Sequence, residues 1–219
     1  AKKIVVFSRD EHKQIEYKNS IPDNKINMFR FFLGDVRDKE RLKWAINDDV
    51  DVLVHAAALK QIPATEYNPF ETVKTNILGT QNIIEIAIRN KVKKAMLVST
   101  DKAVSPINLY GSTKLTAEKL FISANIFKGK SKTLFSIARY GNVMGSRGSV
   151  IPIFLKQEKI QNFFTVTDEH MTRFTITLHD AVRFVDQCIG DMKGSEIFIP
   201  KLKSYKITEL AKAINPQKK

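Results

Sequence analysis

The chain has 219 residues, 36 Lys and Arg against 23 Asp and Glu for a formal charge of +13, and 43% hydrophobic residues along its length, enough to bury a core and to exclude a disordered tail. A single cysteine, Cys188, excludes an internal disulfide and a cysteine-based metal cluster and fits a reducing compartment, while the apolar runs fall far short of the roughly 20 residues needed to cross a bilayer. The charge suits anionic partners, whether nucleic acid, acidic lipid or phosphorylated small molecules, without choosing among them, and the scattered basic residues read mostly as solvated surface.

Short continuous apolar runs alternate with stretches of helical spacing, the pattern of βα units around a parallel sheet buried on both faces. Residues 4–7 read as a strand, 11–18 as a helix, 28–33 as a strand, 37–46 as a helix and 50–55 as a third strand. Along 69–89, Val73, Ile77, Ile84 and Ile88 recur at helical spacing. A strand at 95–99, a long helix at 109–127 and a strand at 134–139 follow. Beyond Arg139 the texture changes to a glycine-rich loop (Gly141, Gly145, Gly148), a helix from Val150, short strands at 163–166, 174–176 and 197–199, and helices at 178–189 and from Thr208. The expected fold is α/β, a Rossmann-like doubly wound parallel sheet carrying a small α+β substrate lobe.

The stretch from Leu97 to Lys114 carries the most chemistry. A strand ends in Ser99-Thr-Asp-Lys102, and Tyr110-Gly-Ser-Thr-Lys114 opens the next helix. Tyr and Lys four residues apart share a helix face, so the ammonium can favour the ionised phenol. A phenol near its usual pKa of about 10 needs such help to act as a base near neutral pH. Alone, Tyr-x-x-x-Lys is as common as any pair of helix-surface residues. Its position beyond a strand end, where open α/β sheets bind ligands, raises its weight. The four histidines, His12, His55, His170 and His179, lack ligand spacing, and His55 at a strand end reads as structural.

With His55-Ala-Ala-Ala58 closing the previous strand and Asn76 in the intervening helix, the pattern resembles the extended short-chain dehydrogenase/reductases. Ala56-Ala-Ala-Leu-Lys60, Ser99-Thr-Asp-Lys102, Asn108-Leu-Tyr-Gly111, Arg139-Tyr-Gly-Asn-Val143, Gly145-Ser-Arg-Gly-Ser-Val150 and Met171-Thr-Arg-Phe174 together resemble the soluble inverting UDP-N-acetylglucosamine 4,6-dehydratases, which feed pseudaminic acid synthesis for flagellin glycosylation. The resemblance runs over essentially the whole chain. Gln61, where the family pattern has His, and Ser105, where it more usually has Asn, depart from it without removing a catalytic group. Tyr110 and the lack of membrane-spanning runs argue against the membrane-anchored retaining branch.

The resemblance implies a cytoplasmic hydro-lyase and homo-oligomer that uses NADP and UDP-N-acetylglucosamine and engages neither nucleic acid, membrane nor metal. Its catalytic residues are Thr100, Asp101, Lys102, Tyr110 and Lys114. Tyr110 takes the proton of the carbon 4 hydroxyl, Thr100 hydrogen-bonds that hydroxyl, and Lys114 holds the nicotinamide ribose and lowers the Tyr110 pKa. Lys102 removes the carbon 5 proton and Asp101 protonates the departing carbon 6 hydroxyl, an acid and base that an epimerase would not need. Cofactor contacts fall on Ser8, Arg9, Lys13, Asp35, Val36, Ala56, Ala57, Lys60, Asn76, Tyr110 and Lys114. Arg9 and Lys13 suit a ribose phosphate and so NADP, although Asp10 and Glu11 stand between them. Substrate contacts fall on Lys60, Asn142, Ser146, Arg147, Gly148, Ser149, Val150 and Arg173, with the helix after Ser149 offering N–H groups to a diphosphate.

A dinucleotide fold opens with a strand and G-x-G-x-x-G, and nothing here supplies it. The first strand resembles the family's second, so the chain is expected to be a fragment. Residues 1–144 would form an NADP-binding domain missing about 35 residues of a leading βα unit, and 145–219 a nucleotide-sugar lobe incomplete at its end. Loss of the central strand leaves two unpaired ladder edges, so the isolated chain is expected to be inactive. Two other readings stay open: another extended-family enzyme on a nucleotide sugar, such as a 4-epimerase or a different 4,6-dehydratase, and a non-catalytic nucleotide- or nucleic-acid-binding protein.

Overall fold

The computed structural model describes residues 1–47, 49–146 and 148–218. In chain order the elements are β1 (Ile4–Ser8), α1 (Glu11–Ser20), α2 (Asp23–Ile26), β2 (Phe29–Leu33), α3 (Lys39–Ala45), β3 (Val52–His55), α4 (Ile62–Tyr67), α5 (Pro69–Val73), a π turn (Lys74–Leu78), α6 (Gly79–Arg89), β4 (Lys94–Thr100), a 3-10 turn (Asp101–Ala103), α7 (Leu109–Phe127), β5 (Leu134–Tyr140), β6 (Asn142–Val143), α8 (Val150–Ile160), β7 (Thr172–Ile176), α9 (Leu178–Asp191), β8 (Ile197–Phe198), β9 (Ser204–Lys206) and α10 (Ile207–Ile214). The expected α/β architecture is present.

The parallel strands fall into two sheets. β1 pairs with β2, while β3, β4, β5 and β8 form a second sheet in that order. β1 and β3 do not pair with each other, and Val5, Val52 and Val54 on these strands are exposed. One face of the larger sheet is buried by α3, α6 and α7, through Leu42, Ile84, Ala117 and Phe121 against Leu53, Leu97 and Phe135. α9 covers the other face with Val185, Cys188 and Met192 packed on Met96 and Ala138. Helices therefore lie on both faces, as a parallel sheet requires. The third sheet, β6-β7-β9, with α8 and α10 around Phe154, Phe164 and Ile207, makes the lobe.

The structure corrects the sequence reading at several places. Position 144/145 does not divide the sheet, because α9 and β8 come from beyond it and close the sheet's far edge. Residues 163–166 are not a strand. Phe164 turns inward onto Phe154, ring centroids 5.0 Å apart, and the Thr165 N–H donates to the Gln157 side chain at 3.1 Å rather than to a ladder. The helix at 69–89 is interrupted by the π turn, and α4, β6 and β9 had no periodic signal strong enough to read.

Candidate active site

Four segments meet at the C-terminal end of β4. The strand ends in Thr100, whose backbone is extended and whose hydroxyl accepts the Lys102 N–H at 3.3 Å, starting the 3-10 turn. Asn108 caps α7 by accepting the Gly111 N–H at 2.8 Å, which fixes Tyr110 in the first helical turn. Gly111 is required there. A Cβ would stand 2.3 Å from the Lys102 carbonyl oxygen, so only glycine lets α7 approach the Asp101–Lys102 turn this closely.

The side chains form one network. The Thr100 hydroxyl donates to Asp101 at 2.9 Å, and Lys102 Nζ donates to the same Asp101 oxygen at 3.2 Å and to Asn142 Oδ1 at 3.0 Å. Thr100 is the side chain that favours the ionised form of the Tyr110 phenol. Lys114 is 4% exposed and donates to the Val98 carbonyl at 2.8 Å. Thr100, Asp101, Lys102 and Tyr110 are thus brought together, with Lys114 one turn along the same helix. Asn142, expected on the substrate, accepts from Lys102.

The electrostatics depart from expectation in one respect. Burial pushes the Tyr110 phenol above its ordinary value, with Asp101 and Tyr140 adding to the rise and Thr100 opposing it; Lys114 is not among the groups acting on it. The Lys114 ammonium is turned to the Val98 carbonyl. Lys114 itself is lowered to about 8 by burial, against the pull of Glu118. His55 is lowered to about 3, first by burial and then by Lys114, so it is neutral at ordinary pH. Its Nε2 lies 3.0 Å from Thr80 Oγ1, consistent with a structural role.

At the cofactor edge, Ser8, Arg9 and Lys13 gather at the end of β1 and the start of α1. Ser8 Oγ accepts the Asp10 N–H at 3.1 Å, Lys13 pairs with Asp10 at 3.5 Å and Arg9 with Asp35 at 3.2 Å. Burial raises the Asp35 carboxyl, but Arg37, 2.7 Å away, and Arg9 more than offset it, so it stands below the usual carboxylate range. Ala56 and Ala57 are exposed at the end of β3, and their small side chains leave room above that strand. The side chains of two other residues expected on the cofactor are engaged within the chain. Val36 points into the core, under Gly79, where a Cβ would meet it at 2.7 Å. Asn76 is 2% exposed and its amide is engaged: Oδ1 accepts the Leu59 N–H at 2.8 Å, and Nδ2 donates to the Leu59 carbonyl at 2.9 Å and to Thr113 at 3.0 Å. It clamps the loop bearing Ala56 and Lys60 to α7, from within the π turn, a feature frequent at functional sites.

On the lobe side, Ser149 precedes α8, and its hydroxyl is buried with no hydrogen-bond partner among the described residues. Gly148, at φ +77°, sits against the Gln61 side chain, which brings the loop of Ser146 and Val150 beside Lys60. Arg173 lies on β7 and donates to the Thr172 carbonyl at 2.9 Å; Arg147 falls outside the described residues. A cavity of about 160 Å³ lined by Asp101, Val104, Tyr140 and Phe174 opens beside the network. Among the described residues no group of three or more His, Cys, Asp or Glu could hold a metal, and no helix is long and apolar enough to cross a membrane. Glu118, and the pairing of Arg139 with it, escaped the sequence reading, although Glu118 repeats the four-residue step from Tyr110 to Lys114.

Comparison with known proteins gives a consistent picture. A family described as polysaccharide biosynthesis protein matches residues 1–218. A Campylobacter jejuni protein named UDP-N-acetylglucosamine 4,6-dehydratase (inverting) is 52% identical over 215 residues, 98% of this chain and 63% of its own length. A Rickettsia canadensis protein named UDP-glucose 4-epimerase is 42% identical over 97% of this chain and 61% of its own. The crystal structure of Pen from Bacillus thuringiensis is 44% identical with a TM-score of 0.91, over 97% of this chain and 65% of that one. The chain thus spans somewhat less than two thirds of the length of these relatives.

Proposed function

The chain belongs to the polysaccharide biosynthesis protein family, and from that premise we propose that it forms the catalytic part of an NADP-dependent UDP-N-acetylglucosamine 4,6-dehydratase that inverts carbon 5. The observation that carries this reading is the hydrogen-bonded network of Thr100, Asp101 and Lys102 at the end of β4, with the Tyr110 phenol beside Thr100. It offers a phenol for a sugar hydroxyl and, beside it, both a carboxyl and an amine. Removing water across carbons 5 and 6 needs one group to take a proton from carbon and another to give one to the departing hydroxyl. The similar C. jejuni dehydratase supports the same substrate.

Tyr110 takes the proton of the carbon 4 hydroxyl while Thr100 orients that oxygen. The bound nicotinamide supplies the chemistry of accepting and returning a hydride. Once carbon 4 is a ketone, the carbon 5 proton is acidic and Lys102 removes it; Asp101 gives its proton to the leaving hydroxyl at carbon 6. Asn142 and Asp101 hold Lys102 between them, so the base is aimed before substrate arrives. Reprotonation of carbon 5 from the opposite face gives inversion.

The residues present suit a phosphorylated dinucleotide. Arg9 and Lys13 would hold the ribose phosphate in exchange for their present carboxylate partners, Asp35 the adenosine, and Lys114 the nicotinamide ribose. The unpartnered Ser149 hydroxyl and the start of the 11-residue α8 fit the diphosphate of the sugar nucleotide. A further parallel strand between β1 and β3 would complete the pairing that both edges lack and would join the two halves of the cofactor site. The reading therefore assigns full activity to a polypeptide in which that gap is filled, places it in the cytoplasm as a homo-oligomer, and assigns it the first step of pseudaminic acid formation.

Proton NMR of UDP-N-acetylglucosamine incubated with NADP and the full natural protein that carries this chain tests the reading. A new sugar methyl doublet is the expected result. A carbon 4 epimer would instead favour the 4-epimerase reading that the R. canadensis relative supports, and an unchanged substrate would remove both.

A further inference from the structure

Glu118 is a carboxylate 2% exposed that the chemistry above leaves unused. It lies one turn beyond Lys114 on the same face of α7, as Lys114 lies one turn beyond Tyr110. Arg139 on β5 reaches it with two prongs, Nε at 2.9 Å from one oxygen and Nη2 at 2.5 Å from the other. A forked guanidinium pair fixes a carboxylate's orientation as well as its charge. In the β4–β5 register Arg139 stands opposite Ser99, the residue before Thr100. The pair is therefore built into the floor of the site, between the helix and the strands that carry the reacting groups.

The groups around Lys114 are Glu118 one turn along α7, the neutral His55 on β3 and the Val98 carbonyl on β4 that accepts from the ammonium; Arg139 on β5 is bound to Glu118. Glu118 is the charge that favours the Lys114 ammonium in this buried group. We propose that Glu118, gripped by Arg139, is a positioning residue for Lys114, holding the ammonium charged against the Val98 carbonyl two residues before Thr100. This inference rests on reading Lys114 as a catalytic residue. Burial draws Lys114 down to about 8 and Glu118 is the charge that resists. The charged fraction therefore falls as pH rises through about 8, and the rate that depends on it falls on the same alkaline limb.

The two members of the pair act on Lys114 with opposite signs, which separates this role from a merely structural one. In the full protein with NADP and UDP-N-acetylglucosamine, Glu118→Gln should move the alkaline limb of kcat/KM to lower pH by about one unit, near a tenfold loss of rate above both limbs. Arg139→Gln removes a cation and frees the carboxylate, so the limb should move to higher pH. The Lys114 titration, followed by carbon NMR of labelled lysine side chains and assigned with Lys114→Met, should move with each limb. If Glu118→Gln does not fold, Glu118→Asp should give a smaller displacement of the same sign. A structural ion pair would lower the melting temperature of both variants and leave the Lys114 titration in place, or move it the same way in both; either result overturns the inference. Titrations that move oppositely while the rate limbs stay fixed would uphold the positioning of Lys114 and overturn its catalytic role.

Discussion

The proposed catalytic end of β4 and the proposed cofactor edge at β1 and β3 are built in different ways. At β4 the reacting groups come from one stretch of 15 residues, Thr100 to Lys114, and they rest on a core in which Phe121, Phe135 and Leu97 are fully buried. At the proposed cofactor edge β1 and β3 belong to separate sheets, Val5, Val52 and Val54 are exposed, and Arg9 and Lys13 are held by surface ion pairs. Such pairs contribute at most about 1 kcal/mol. The difference teaches that the proposed catalytic groups are preorganised by local connections, whereas the proposed cofactor edge is held by ion pairs weak enough to exchange for a ligand.

The sharpest way to break this comparison is to disturb the catalytic end without touching a reacting group. Gly111→Ala forces a Cβ to within 2.3 Å of the Lys102 carbonyl oxygen. Moving α7 from the Asp101–Lys102 turn by even 1 Å should cost about 100-fold in turnover, read by the rate of methyl formation. Wild-type turnover would show that the close approach is unnecessary.

Stability should divide the two regions as well. Phe121→Ala should cost about 3–5 kcal/mol in denaturant unfolding, because it opens a cavity in the core. Val54→Lys on the exposed β3 edge should stay within about 0.5 kcal/mol and reduce self-association of the 219-residue chain. Equal losses would mean that the edge is as well packed as the core.

His55 offers a pH test of the same core. Its folded value, about 3, lies below the ordinary 6.5. The unfolded chain therefore takes up a proton that the folded chain refuses as pH falls below about 6.5, and stability should fall by up to about 1.4 kcal/mol per pH unit down to about 3. His55→Gln should flatten that limb; an unchanged limb would place the proton elsewhere. The smallest effect is expected at the cofactor edge. Arg9→Ala should weaken NADP about tenfold while leaving NAD nearly unaffected, measured by calorimetry on the full protein, and equal loss for both would remove Arg9 from the ribose phosphate.

Much of this was legible in the sequence for physical reasons. α7 begins and ends where its spacing places it, and the candidate cluster was readable because it is local. What escaped depends on contacts between distant segments. The burial of Val36 under Gly79 and the clamp of Asn76 on Leu59 link positions 43 and 17 residues apart and leave no periodic trace. Asn142 reaches Lys102 across 40 residues, and Arg139 reaches Glu118 across 21. Phe164 looked like part of a strand because its neighbours are apolar, yet its ring fills the lobe core.

The most direct test of the Asp101–Lys102 assignment is proton NMR of UDP-N-acetylglucosamine with the full protein bearing Lys102→Met, beside the wild type. Lys102→Met keeps the length of the side chain and removes the base. The expected result is loss of the sugar methyl signal by about 100-fold or more, with folding intact by circular dichroism. Methyl formation at the wild-type rate would contradict the assignment of Lys102 as the base.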